Sequence, residues 1–271
     1  MLQMIGTRKP RIDDSTAQKI RRSPWLGLLT FLALIVIWDV WARLSGWSAH
    51  VFPDPLSVLN GLWELIANGM LFKHTVASLF RVTMGFYSAI LLGVPAGILI
   101  SRLEIVHALM NPVIQFLRPI SPLAWIPLAM LWFGIGDPPA IFLIFLASFF
   151  PVVVATSVAV KNINPTFFQV AANFNFNRHE IITKLILPAI MPQVITALRL
   201  TITISWLVVV AAEMIAVQSG LGFLIMDSRN ALRMDYVMDG MIVIGLIGIS
   251  LDHMMKWIGD TEFTQWGIVS R

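Results

Sequence analysis

KNINPTFFQVAANFNFNRHEIITKLILPAIMP, residues 161–192, is a polar segment between two long apolar runs. We call this segment the island. Asn164 followed by Pro165 is typical of a helix start, with an N-cap residue and then proline at the first helical position. This predicts a short helix over residues 166–174. Asn175 is a plausible left-handed stop for that helix, because asparagine is second only to glycine at such positions.

The second half of the island has its own start signal. Asn177 is followed three residues later by Glu180, which is the spacing of a capping box. A second short helix is therefore predicted to begin there and to end before Pro188, since the residue preceding a proline is biased away from helix. The island is thus predicted to be two short helices joined by a tight turn, on one side of a membrane.

The composition places the rest of the chain in the bilayer. Of 271 residues, 57% are hydrophobic and only 13% are charged, and the mean hydropathy is +0.79. Several apolar runs reach the roughly 17–25 residues that a spanning helix needs. We predict an all-α polytopic membrane protein. The chain has no cysteine, which excludes disulfides, thiolate catalysis and cysteine-ligated metals. The net charge of +4 is attributed to basic cytoplasmic loops rather than to nucleic-acid binding.

Six transmembrane helices are predicted. Residues 1–24 form a basic tail, and the first helix, within 25–46, is interpreted as an uncleaved anchor, with a cleaved signal peptide as the alternative. Residues 47–73 form a loop with an interfacial helix. The core, 74–258, contains five more helices, and 259–271 is a polar tail. The spans are expected at about 25–44, 74–100, 119–133, 140–160, 193–215 and 237–258, with a further short cytoplasmic or interfacial helix at 101–118.

Lysine and arginine placement predicts the orientation. Thirteen of the nineteen basic residues fall on the side of the two tails and the island, and three fall in the opposite loops. The positive-inside rule therefore places the island and both termini of this multi-pass protein in the cytoplasm. Residues 47–73 and 217–236 then face away from the cytoplasm.

No catalytic or nucleotide-binding motif is visible. The sequence has no GxxxxGK[ST] phosphate loop, and its five histidines are scattered without metal-ligand spacing. Four ionisable residues are taken as deep in the spans: Asp39, Arg81, Arg199 and Glu213. The two deep arginines are interpreted either as structural anchors or interhelical partners, or as part of an anion path. Glu213 is interpreted as a gate or packing hydrogen bond, or as path-lining.

Several separated blocks resemble a known family. They are SLFRVTMGF (78–86), LRPISPLAWIPLAMLWFGIGD (117–137), ALRLTITISWLVVVAAEM (197–214), SGLGFLI (219–225) and MIVIGLIG (241–248). Together they resemble the nitrate/sulfonate/taurine/bicarbonate branch of bacterial ABC importer permeases. The island resembles the EAA loop of that family. Leu187 and Pro188 take its Leu-Pro position, but Gln169 stands at the family glutamate and Asn175 at the family glycine.

The resemblance implies a type I importer permease fold and a homodimer that forms the translocation path. It implies two separate ATPase subunits, which hold ATP and Mg²⁺, and a periplasmic or lipid-anchored binding protein that delivers a small oxyanion. No cofactor is expected on this chain itself. The first island helix would be the coupling helix, and the expected ATPase contacts are Phe168, Gln169, Val170, Ala171, Ala172, Asn173, Phe174, Asn175, Phe176, Leu187 and Pro188. Expected path or gate residues are Arg81, Trp125, Arg199 and Glu213.

Two other classes remain as alternatives. A self-standing secondary transporter or channel would work without an ATPase, but paired broken helices and abundant mid-membrane charge, which are typical of such proteins, are not evident. An intramembrane enzyme would need a catalytic pair at the membrane midplane, and the sequence shows none.

Overall fold

The computed structural model describes residues 24–48 and 51–259, so both predicted tails, apart from Pro24 and Gly259, lie outside the described residues. The described residues form ten helices and no strand. They are α1 Pro24–Leu44, α2 Pro55–Ala67, α3 Met70–Arg102, α4 Glu104–Leu117, α5 Ile126–Phe133, α6 Asp137–Lys161, α7 Pro165–Asn173, α8 Arg178–Ala216, α9 Leu221–Asn230 and α10 Met234–Gly259.

Five of these helices, α1, α3, α6, α8 and α10, are long and apolar enough to cross a membrane. A sixth span is present if α4 and the segment Pro122–Phe133, which meet at an angle of 88°, are counted as one broken span. On that count the six-helix, all-α prediction is confirmed. The predicted interfacial helix is also present as α2, and Asp54 caps its start by accepting a hydrogen bond from the Ser57 backbone N–H.

The predicted third span is wrong in extent. Residues 119–133 do not form one helix but a 3₁₀ turn over Pro122–Trp125 followed by the eight residues of α5. Eight residues rise only about 12 Å, less than half of the hydrocarbon thickness. The reason is the placement of the prolines, because Pro122 and Pro127 each lie in the first turn of a new helical segment, where the missing N–H costs nothing.

The predicted end of the second island helix at Pro188 is also wrong. The helix that starts at Arg178 continues through Pro188 to Ala216. A π-helical stretch over Ile181–Ile186 makes this possible: the Leu187 N–H bonds to the Ile182 carbonyl, five residues back, and Pro188 then falls in the first turn of the α-helical segment that follows. The second helix of the island and the span after it therefore form one continuous helix, α8.

Close contact between α3 and α6 forms the centre of the bundle. The glycines Gly93 and Gly97, one turn apart on α3, lie in this contact. A Cβ added at Gly97 would lie 2.7 Å from the Val153 carbonyl oxygen and 2.6 Å from the Thr156 Cβ. The two backbones thus approach more closely than any larger residue allows, as expected where helices pack without a hydrophobic driving force.

The bundle has two ends with different chemistry. The end at which α3 and α6 finish carries the island, and we call it the island end. The opposite end holds the start of α6 and the segment from Val217 to α9, and we call it the far end. At the far end Arg233 lies 3.1 Å from Glu64 and ties α2 to the start of α10. A hydrogen bond from Tyr236, and to a smaller extent one from Arg233, lowers the pKa of the exposed Glu64 carboxyl.

Gly97→Ala is expected to destabilise the protein by about 1–3 kcal/mol, the usual cost of overpacking a tight contact. The control is Gly27→Ala in α1, where an added Cβ meets nothing within 4 Å. Thermal unfolding of the purified protein in one detergent measures both changes. Equal melting temperatures for the two variants would show that the α3–α6 contact tolerates a methyl group.

Candidate functional site

The first island helix, α7, has the predicted caps at both ends. The Asn164 side chain accepts a hydrogen bond from the Thr166 backbone N–H, and Asn175 adopts a left-handed conformation with φ of +55°. The backbone N–H groups of Asn175 and Phe176 bond to the carbonyls of Ala172 and Ala171, which is the Schellman pattern. Asparagine in the family's glycine position therefore forms the left-handed turn.

One side of α7 is anchored to the bundle. Ala171 is buried, and Phe168 packs against a core cluster where α3, α6 and α8 meet. The Arg102 guanidinium at the end of α3 lies 4.8 Å from the centre of the Phe168 ring. The buried members of the cluster are Ile98, Ala159, Val160, Ile163, Ile186, Ile190 and Val194, with Leu187 packed against it. The helix is therefore fixed to three spans.

The other side of α7 is exposed and mixed in character. Gln169 and Asn173 lie one turn apart, as do Val170 and Phe174, and Phe174 is 71% exposed. We call these four residues the docking face. Ala172 and Asn175 are also exposed, whereas Phe176 and Pro188 are half-buried. The eleven predicted coupling residues thus divide into an anchoring group and an exposed group.

A short turn joins α7 to the long rod α8. Asn177 and Glu180 form the predicted capping box, with both hydrogen bonds present. Lys184 lies 2.7 Å from Glu180 and also stands over the Phe176 ring at 5.3 Å. These contacts hold the turn against the start of α8, so that α7 and α8 are positioned as one unit.

A network of buried polar groups occupies the far end. Arg81 on α3 is 1% exposed, and its guanidinium lies 2.6 Å from Glu213 on α8 and 2.7 Å from Asp137 at the start of α6. It also donates to the backbone carbonyl and the hydroxyl of Ser219. These are the contacts of interhelical pairing, the first of the two interpretations of Arg81. A role in the path stays a prediction.

The same network closes the start of α9. Glu213 accepts hydrogen bonds from the Ser78 hydroxyl and from the Gly222 backbone N–H. The backbone N–H groups of Gly220 and Leu221 donate to His74 and Ser78. Gly220 has φ of +104°, and a Cβ there would lie 2.3 Å from the Glu213 carboxyl carbon, so this geometry requires glycine at position 220.

The structure brings only two of the four path candidates together. Arg81 contacts Glu213, whereas Arg199 lies fourteen residues from Glu213 along α8, about 21 Å by helical rise. Trp125 lies in the 3₁₀ turn, packs against a core cluster formed by α5, α6 and α8, and has its ring 6.5 Å from that of Trp132. Whether these side chains line a path stays a prediction.

The choice of deep ionisable residues was incomplete. Two acidic residues of α10 were missed: Asp252, which pairs with Arg199 at 2.7 Å, and Asp239, which is fully buried against Gly61 of α2. The sequence contained a signal for both residues, because an acidic residue inside an apolar span is by default a candidate for a functional role. Asp39, by contrast, pairs with Arg43, one turn along α1, at 2.9 Å.

An all-helical bundle of up to six spans with a structured polar island defines a polytopic membrane protein. The family model described as "Binding-protein-dependent transport system inner membrane component" matches residues 89–260. The chain belongs to this family. It is therefore a membrane permease component of that transport class.

Relatives agree with the branch that the sequence blocks indicated. The "putative aliphatic sulfonates transport permease protein SsuC" of Bacillus subtilis is 34% identical, over 94% of this chain and 95% of its own length. The "nitrate import permease protein NrtB" of Leptolyngbya laminosa is also 34% identical, with 91% and 95% covered. A solved structure of the MetNI methionine ABC transporter in an inward-facing form has the same fold, with a TM-score of 0.51 at 16% identity. It covers 75% of this chain and 97% of that one.

Arg81→Gln is expected to destabilise the protein by about 3–5 kcal/mol, because it leaves the Glu213 carboxylate buried without its charge partner. The double variant Arg81→Gln with Glu213→Gln removes both charges and should recover most of that loss. Thermal unfolding in detergent measures the difference.

The control for Arg81 is Arg43→Gln, which breaks an exposed ion pair and should cost about 0–1 kcal/mol. If the double variant melted no higher than Arg81→Gln alone, the loss could not come from an unpaired Glu213 charge.

Proposed function

We propose that this chain is the membrane subunit of an ATP-driven importer, that two copies form the translocation path, and that two separate ATPase subunits dock on the islands. The observation that supports this most is the docking face on α7. It exposes Phe174 and Val170 to water while the opposite side of the helix is anchored to three spans. An exposed apolar patch rimmed by polar groups marks an interaction surface.

The charge distribution supports the orientation that we propose. The docking face lies at the island end, and residues 101–118 and the island itself contribute Arg102, Arg118, Lys161, Arg178 and Lys184 to that side. The positive-inside rule then places this end in the cytoplasm, where an ATPase has access to ATP and Mg²⁺. Both termini follow to the same side on a six-span count. The far end faces a solute-binding protein.

The continuity of α8 supports a mechanism. Closure of the ATPase dimer would move the docking face, and α7 is fixed to α8 by its anchoring residues and by the capping-box turn. Because α8 continues from Arg178 to Ala216 without a break, this displacement passes directly to the far end. There Arg81 ties α8 to α3 and α6. Each copy therefore moves as a rigid body. Access to the path between the two copies then switches from the far end to the island end.

Gln169 changes the character of the docking contact. A glutamate at this position would make charge-assisted hydrogen bonds, which are about twice as strong as neutral ones. With glutamine the contact depends more on Phe174 and Val170, and less on charge. Dissociation of the ATPase by salt should therefore be weaker than for a Gln169→Glu variant.

Changing the docking face is expected to release the ATPase. The variant Gln169→Ala, Val170→Ala and Phe174→Ala keeps the anchoring residues and all caps, so the fold should be unchanged. We expect at least tenfold less ATPase subunit to co-purify with it from the native membrane, measured by quantitative mass spectrometry.

The control for the docking face is Phe116→Ala on α4, which removes an equally exposed aromatic ring, 72% exposed, outside the island. Retention of the ATPase by the triple variant at the level of this control would rule out docking on α7.

We infer that the solute is a small oxyanion of the sulfonate or taurine, nitrate or bicarbonate class. The names of the two relatives support this class. Because both relatives are 34% identical to this chain, sequence identity does not discriminate between sulfonate and nitrate as the solute.

Uptake by the complete complex, with its solute-binding protein outside, into right-side-out vesicles that enclose ATP tests this inference. Labelled taurine, nitrate and bicarbonate are compared, and we expect at least one of them to accumulate in an ATP-dependent manner that the docking-face variant abolishes. Accumulation of none of the three, with the complex still hydrolysing ATP, would refute the oxyanion class.

A further inference from the structure

An ion pair lies on the surface of the bundle within the spans. The Arg199 guanidinium on α8 contacts Asp252 on α10 through two parallel hydrogen bonds, both of 2.7 Å, from Nε to one carboxylate oxygen and from Nη2 to the other. The two side chains are 39% and 38% exposed. The far-end pair of Arg81 and Glu213, in contrast, is fully buried.

The depth of this pair disfavours contact with hydrocarbon. Arg199 lies about 21 Å from Glu213 by helical rise, within the roughly 20 residues that cross the bilayer core. Charged side chains at such a depth face the bundle interior, a partner or a water-filled cavity rather than lipid. Both side chains are more than a third exposed in the protomer, so the surface around Arg199 and Asp252 is expected to meet water or a partner.

A polar strip runs along this face of α8. Gln193, Thr196 and Thr203 are exposed at the three- and four-residue spacing that places them beside Arg199. Leu200 and Ile204 are exposed beside the strip, and toward the far end the exposed residues include the apolar Leu207 and Met214. The strip is thus narrow and confined to the half of the span nearer the island.

Two cavities border the strip. A groove of about 470 Å³ between α8 and α10 is lined by Thr203, Trp206, Gly245, Gly248, Asp252 and His253, among others. A cavity of about 630 Å³ at the island end is lined by Asn162, Asn164, Lys184, Gln193 and Thr196, among others. Arg199 lies between them on α8. Thr203 of the groove, Arg199 and Thr196 of the island-end cavity therefore follow one another along α8.

The geometry of the pair suits exchange with an oxyanion. Two parallel N–H groups of arginine fit the two oxygens of a carboxylate, and they fit two oxygens of a sulfonate, nitrate or bicarbonate in the same way. An arriving anion can replace the Asp252 carboxylate while Arg199 stays in place. While the anion is bound, the displaced Asp252 carboxylate lacks its charge partner. It restores the pair when the anion leaves, which favours release.

We propose that Arg199 is the anion-binding group in the island-side half of the path and that Asp252 is its internal competitor. This rests on the proposed function for the identity of the anion as the transported solute. It assigns a role to Asp252, and it explains why an ion pair is kept on the protomer surface inside the membrane.

The first test measures whether the strip is hydrated. The chain has no cysteine, so single cysteines can be introduced without other changes. Thr203→Cys on the strip is compared with Leu91→Cys on α3, which is 74% exposed. Each position is ten residues from the Arg81–Glu213 pair, about 15 Å by helical rise, so the two cysteines lie at matched depth.

In phosphatidylcholine vesicles containing the chain alone, a membrane-impermeant methanethiosulfonate bearing a sulfonate group is added on both sides of the membrane. We expect it to modify Thr203→Cys at least tenfold faster than Leu91→Cys. Equal rates would overturn the proposal, since they would mean that the strip is no more accessible to water than a lipid-facing surface.

The second test measures anion binding through protection of Thr203→Cys. Nitrate and bicarbonate are each added at millimolar concentration against chloride of equal ionic strength, and taurine, a zwitterion without net charge, is added against an equal concentration of glycerol. At least one should slow the modification threefold or more. Adding Asp252→Asn should lower the concentration needed for half-protection at least threefold, because the competitor for Arg199 is removed.

The neutral pair Arg199→Gln with Asp252→Asn should abolish protection while the cysteine still reacts. It keeps the charge balance, so loss of protection does not arise from an unpaired acid. Protection that is unchanged in this variant, or absent with all three anions in the parent, would overturn the proposal. The assay needs no ATPase, so its outcome is independent of whether the ATPase docks on α7.

Discussion

The buried guanidinium of Arg81 is the interaction on which the far end of the bundle depends. It joins α3, α6, α8 and the segment before α9 through Asp137, Glu213 and Ser219. In a low-dielectric interior such a charge is tolerated only when each of its donors has an acceptor. The outer ends of three helices are therefore held at fixed separations, and α9 can start only where Glu213 and Ser78 accept its first N–H groups.

The island end is built on the opposite principle, with apolar packing inside and an exposed face outside. Ala171 and Phe168 insert into a cluster of three spans, while Phe174 remains in water. Between the two ends, the glycine contact of α3 with α6 and the uninterrupted rod α8 transmit position. The packing and the capping-box turn that fix α7 to α8, together with the continuity of α8 from Arg178 to Ala216, are the physical basis of the coupling mechanism that we propose.

Local signals in the sequence predicted local structure well. The Asn164 and Asn177 caps and the left-handed Asn175 follow from hydrogen bonds within a few residues, so the island turn was correctly predicted. The predictions failed at prolines. Pro188 does not end its helix, because the π-helical stretch before it places Pro188 in the first turn of the next α-helical segment, where its missing N–H is not needed. The third span is broken because its prolines lie at the starts of new helical segments.

By itself, the sequence determined the membrane class, the family and the caps of the island, because hydropathy, block order and capping chemistry act over short stretches of chain. Only the tertiary structure decided which charges meet. Arg81 reaches acceptors 56 and 132 residues away, and Arg199 reaches Asp252 across 53 residues. The pairing of side chains across helices depends on the rotation and depth at which each helix packs, and these are decided by contacts such as Gly97 against Val153, which no local pattern specifies.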